Sequence, residues 1–258
     1  MKRAIDWHIK AIKLVLTALK SNRFWGYFVP GMIIMVIYLI SEAIIHLLFN
    51  TAPTEETASW FARNIGGGWA KIGSAFDFIV TQAYIFLVIT LLSPFNTLLS
   101  EKLDCRLTGQ EFKFSLGRLV KDLLRMLAIV TVALTLELLC IAIWWIIAKI
   151  IGFDGTWFYS IISLLIGSFF YGFSFYDHSL ERYGISVGNS LNFAFKNFAI
   201  VLATGICFKV MYYFPYIWDI PTIGIVLSPV ITTMISTVVY LFHRGILNPD
   251  TSKLNSNE

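Results

Sequence analysis

Several ionisable side chains stand inside mainly apolar stretches, and the types and spacing of four of them decide where this chain could do chemistry. Glu137 lies near the middle of Leu127–Ile151, Lys209 lies within Ala199–Phe214, and Glu42 and His46 stand four apart in Phe24–Phe49. An ionisable group in such a place has to face protein or water, and ion or proton pathways are built this way. Buried polar groups also glue helices together, and a lysine can snorkel to an interface. Glu137 fits either use. Glu42 and His46 share a helix face, but they lie close to the break at Asn50 and fit an interfacial place better. Lys209 has no acidic neighbour in the sequence. Glu137 and Lys209 are thus the candidate polar pathway.

A second candidate precedes the first apolar stretch, at Lys20-Ser21-Asn22-Arg23. Ser21 or Asn22 can cap the following helix, leaving free N–H groups beside Lys20 and Arg23, which is the physics of an anion site. Capping and positive anchoring explain the same four residues. Asn22 and Arg23 are the candidate anion-binding pair. The histidines (His8, His46, His178, His243) show no metal-ligand spacing, and no serine elbow or HExxH is present. No catalytic residue, metal site or cofactor is expected, and the chain does not read as an enzyme.

Six apolar stretches must position these residues: Phe24–Phe49, Phe76–Leu92, Leu127–Ile151, Trp157–Tyr176, Ala199–Phe214 and Ile220–Phe242. With 57% hydrophobic and 14% charged residues, the chain is far from a soluble domain, which carries about 25% charge. The expected class is an all-α, polytopic helical membrane protein with two long spans, re-entrant hairpins and amphipathic interfacial helices. It forms a single membrane domain over 1–258: an N-terminal helix (1–23), a bundle (24–246) and a polar tail (247–258). Sixteen Lys and Arg flank one side of these stretches against two, Arg63 and Lys71, on the other. That asymmetry predicts both termini in the cytoplasm. The pI near 8.9 then reflects orientation and anionic headgroups, with no nucleic-acid partner expected. Cys140 and Cys207 fall in apolar stretches and Cys105 on the predicted cytoplasmic side, so no disulfide framework is expected.

The N-terminus predicts a helix lying in the interface. Ile5, Ile9, Ile12, Leu16 and Leu19 form one stripe, Lys2, Asp6, Lys10, Lys13 and Lys20 lie elsewhere, and Trp7 is an anchor. Asn50–Ala75, with Gly66-Gly67-Gly68, Trp60 and Trp69, reads as a flexible loop. Leu116, Leu119, Val120, Leu123, Leu124 and Leu127 read as an interfacial helix bending into the third stretch, and Ile185–Phe198 as a second such piece. The last two stretches are short. Ala199–Phe214 makes about 24 Å of helix, and Pro221 and Pro229 leave Val230–Phe242 only about 20 Å. These legs predict a hairpin that turns inside the bilayer near Pro215–Pro221, buried by protein or trapped water. Small residues (Ser160, Ser163, Gly167, Ser174) and hydroxyls (Thr233, Ser236, Thr237, Tyr240) form two faces, for helix packing more than for a pore. The Gly184-x-x-x-Gly188 match falls in a polar connection and reads as coincidental.

Three segments resemble the CysZ and etoposide-induced protein family of bacterial inner-membrane proteins. Ser93-Pro94-Phe95-Asn96-Thr97-Leu98-Leu99-Ser100-Glu101-Lys102 is similar to its small-Pro-Phe-Asn-x-Leu-Leu-x-Glu-Lys signature. Tyr176-Asp177-His178 with Leu180, Arg182, Gly184, Ile185 and Ser186 resembles a second, and Ile220-Pro221-x-x-Gly224 with Ser228-Pro229 a third. The resemblance implies an oligomeric helical membrane protein and, for CysZ members, sulfate uptake through an anion site at a Gly-Leu-Arg turn. Arg23 matches that arginine, while Ser21 and Asn22 replace Gly-Leu, and Gly152-Phe153-Asp154-Gly155 replaces an Ile-Pro tip. The expected function is a membrane anion permease or channel, sulfate first, with an inorganic anion, membrane lipids and further copies of the chain as partners. The alternative is a non-transporting scaffold, regulatory or lipid-interacting protein of the same family.

Overall fold

The computed structural model describes residues 1–20, 24–48, 66–110, 116–215 and 222–250. Among these there are eight α-helices and no strand: α1 Lys2–Lys20, α2 Val29–Leu48, α3 Gly66–Thr108, α4 Leu116–Ile151, α5 Trp157–Arg182, α6 Val187–Lys196, α7 Phe198–Tyr213 and α8 Thr222–His243. A 3-10 turn, Trp25–Phe28, leads into α2. Parts of α3, α4, α5 and α8 are long and apolar enough to span a bilayer. The fold class is therefore a polytopic, all-α membrane protein.

Helix α5 is the hub. Every residue from Gly167 to Leu180 is buried, and its most extensive partner is α7. Glycine makes that crossing possible: a Cβ on Gly205 would strike the Ser168 carbonyl, and one on Gly172 the Val201 carbonyl. Backbones this close are the small-residue packing of membrane helices. At the start of α5 Thr156 accepts a hydrogen bond from the Tyr159 N–H as its N-cap. At the other end Gly184, at φ +71°, donates to Glu181 O while Ile185 N donates to Leu180 O, the left-handed glycine stop that ends many helices. Gly188 has open space where a Cβ would point, so Gly184 and Gly188 form no packing motif.

Helix α8 departs from expectation. Pro229 does not break it: Thr222–His243 is one helix, about 33 Å long, and 89% of its most apolar window is buried. A proline's lost hydrogen bond is tolerated in a span that neighbouring helices surround. The short leg is α7 alone. It meets α6 at 96°, so the chain runs across the bundle in α6 and then turns into it. The expected hairpin tip at 216–221 lies outside the described residues. The expected loop Asn50–Ala75 is also corrected, because α3 begins at Gly66; residues 49–65 lie outside the description. The piece expected to bend into the third stretch is continuous with it, α4 running as one helix from Leu116.

The N-terminal helix has three sectors. Ala4, Trp7, Ala11, Leu14, Val15 and Ala18 are buried against α7 and α8. Ile5, Ile9 and Leu16 are about half exposed, and the charged residues fill the third sector. Of the stripe singled out in the sequence, Ile5, Ile9 and Leu16 face outward, while Ile12 and Leu19 are partly buried against the core. Docking uses the smaller seam beside it.

Candidate functional site

Two charged clusters form inside the bundle, one at the end where basic residues collect and one deep in the spans. At the basic end, Arg125 of α4 grips Asp177 of α5 with both arms of its guanidinium: Nε donates to Oδ2 at 2.9 Å and a terminal nitrogen to Oδ1 at 2.7 Å. It also donates to Ser190 Oγ at 3.2 Å and lies 3.8 Å from Glu181. One turn on, Arg182 pairs with Asp104 of α3 at 3.1 Å and donates to Glu101 O at 2.7 Å and Gln110 Oε1 at 3.0 Å. The Tyr183 hydroxyl donates to Asp104 at 3.0 Å; burial, then the neighbouring carboxylate, push its phenol up to about 12. Forked arginine–carboxylate pairing is the strongest form of charge-assisted hydrogen bond.

Hydroxyls extend this cluster inward. Thr97 and His178 share a hydrogen bond of 3.1 Å, Ser100 and Ser179 one of 3.2 Å, and Thr237 Oγ1 lies 2.8 Å from Ser100 Oγ. The hydroxyl face of α8 is therefore packed, with Thr233, Ser236, Thr237 and Tyr240 all buried. Two segments singled out in the sequence, Ser93–Lys102 and Tyr176–Ser186, lie against each other here. Sequence reading took Arg125 for orientation charge and missed its partner; the buried acid in Tyr176-Asp177-His178, between aromatic residues, was the available signal.

The deeper cluster contains both pathway candidates. Gly167 lies ten residues, about 15 Å, along α5 and faces Glu137 of α4 and Lys209 of α7. A Cβ on this glycine would sit 2.5 Å from Lys209 Nζ and 2.7 Å from Glu137 Oε1. Glu137 is completely buried and Lys209 nearly so. Neither carboxylate oxygen has a hydrogen-bond partner. The ammonium makes one long contact, 3.5 Å to Leu164 O, and stands 5.2 Å from the Tyr171 ring centre. Glu137 and Lys209, 72 residues apart in sequence, are thus brought together as a charged couple with open hydrogen-bonding capacity.

Asn22 and Arg23 lie outside the described residues, as do the side chains of Glu42 and His46. Beside that helix start, Lys102 lies 5.8 Å from the Phe24 ring and 5.4 Å from Tyr27, and Arg106 lies 5.7 Å from Phe24. No group of three or more metal-ligating side chains occurs among the described residues. Cys105, Cys140 and Cys207 are free thiols. No family model, curated protein or solved structure matches the chain, so the family resemblance rests on the quoted segments.

Proposed function

We propose that the protein is a permease or channel for a small inorganic anion, sulfate first, in a bacterial inner membrane with both termini cytoplasmic. The observation that carries this reading is the deep couple: a buried ammonium, Lys209, faces a buried carboxylate whose oxygens accept no hydrogen bond. Charges are retained at such depth mainly where ions or protons pass. Lys102 and Arg106 beside Phe24 and Tyr27 supply positive charge next to the residues that follow Asn22 and Arg23 in sequence, the anion-binding pair of this reading. Labelled sulfate flux into liposomes holding the purified protein tests this. Saturable uptake above protein-free liposomes is expected, and none would overturn the reading.

A scaffold or lipid-interacting role is the second reading, and α1 favours it. Its half-exposed Ile5, Ile9 and Leu16 lie beside Lys2, Arg3 and Lys13, a surface suited to anionic headgroups. The α4 span, only 28% buried, gives further copies of the chain or lipid a broad apolar face.

A further inference from the structure

We propose that Glu137 is a tethered competitor at Lys209: its carboxylate holds the place beside the ammonium that a permeating anion takes, and conduction requires it to leave. This rests on the anion reading above and adds how the site is regulated. Three observations carry it. A carboxylate kept for structure is held by donors, as Asp177 is by Arg125; Glu137, with 0% exposure, is held by none. Lys209 spends only a 3.5 Å contact on Leu164 O, leaving N–H groups for a ligand, since an ammonium carries three. Both charged atoms lie within 2.7 Å of the one point a Cβ on Gly167 would take, so the space between them exists because residue 167 has no side chain.

The electrostatic consequence follows. Lys209 and Glu137 neutralise each other, so an anion entering beside them meets no net attraction until the carboxylate is displaced. Glu137 also lies near Tyr171 of α5 and Cys140 on its own helix, neither of which carries positive charge in any protonation state; among the described residues that charge comes from Lys209. Removing the competitor while keeping its shape should therefore raise affinity at Lys209.

The test is sulfate flux against concentration in liposomes for the parent, Glu137→Gln and Lys209→Met, with gel filtration and thermal unfolding as controls for folding. Glu137→Gln is expected to lower the half-saturating sulfate concentration about ten-fold or more, and Lys209→Met to abolish saturable flux. A purely structural couple would lower flux in both variants without improving affinity. Should Glu137→Gln fail to fold, Glu137→Asp, which withdraws the carboxylate by one methylene, is expected to shift half-saturation the same way. Flux in the parent with unchanged or weaker affinity in the folded Glu137 variant overturns the competitor and leaves the permease standing. Absence of flux and of calorimetric sulfate binding in both parent and variant overturns the two together.

Discussion

The two charged clusters sit on the same helices, α4 and α5, about 15–18 Å apart along them, yet they obey opposite rules. At the basic end two buried carboxylates are fully answered: Asp177 by both arms of Arg125, Asp104 by Arg182 and the Tyr183 hydroxyl. In the deep couple the carboxylate has no hydrogen bond and the ammonium has one poor one. Buried charges that are fully hydrogen-bonded fix geometry, because losing one partner strands the other. Buried charges left open attract each other, but no directional bond sets their geometry. The contrast separates a clamp from a site.

The clamp is the easier half to break. Arg125→Ala leaves Asp177 buried without its fork and removes the countercharge beside Glu181. A loss of about 3–5 kcal/mol is expected, read as a lowered unfolding midpoint in detergent. Replacing both partners, Arg125→Met with Asp177→Leu, should recover a large part of that loss, because no lone charge remains buried. Equal destabilisation by single and double variants would show that Asp177 is held by something other than the guanidinium.

His8 sharpens the comparison as a paired group that a change of pH can unpair. On α1 its Nδ1–H donates to Ala4 O at 2.7 Å, which leaves Nε2 to accept from the Thr204 hydroxyl, also at 2.7 Å. Burial lowers its affinity for a proton, the Ala4 carbonyl opposing only in part. The unfolded chain therefore binds the extra proton first as pH falls through the ordinary value of 6.5, and stability is lost from there downward until the folded-state value is passed. The slope stays below about 1.4 kcal/mol per pH unit for a single group. His8→Gln, which does not titrate, should flatten it, as unfolding midpoints between pH 7.5 and 5.5 would report; an unchanged slope would assign the acid sensitivity elsewhere.

Much of the fold was legible because membrane physics is coarse. Six apolar stretches and one-sided basic residues announce a helical bundle, and the short α7 shows in its length. What failed was local chemistry read without neighbours. Pro229 looked like a breaker because its surroundings were invisible, and Gly66-Gly67-Gly68 looked like a loop although α3 begins there. On α1 the large Ile and Leu stripe outshone Ala4, Trp7, Ala11, Leu14 and Ala18, whose alternating spacing of three and four is a packing seam. Glu137 and Lys209 were each visible as misplaced charges. Their meeting was not, since it depends on the α5–α7 crossing that Gly172 and Gly205 permit.

The smallest expected effect is the one that bears hardest on the comparison. If the deep couple is open, Glu137→Gln made together with Lys209→Met removes two charges that no short hydrogen bond secures while keeping most of the side-chain volume. The Coulomb attraction within the couple is lost, but so is the cost of holding both charges out of water, and when a buried pair is replaced together these effects come close to cancelling. Glu137→Gln alone strands the Lys209 ammonium with only its contacts to Leu164 O and the Tyr171 face and is expected to cost more than the double variant. Thermal unfolding of the double variant should therefore fall within about 1 kcal/mol of the parent, or slightly above it, against several for Arg125→Ala under the same conditions. A loss as large as that of Arg125→Ala would mean that Glu137 is bound as tightly as Asp177. The deep couple would then be a second clamp, and its charges would serve assembly instead of passage.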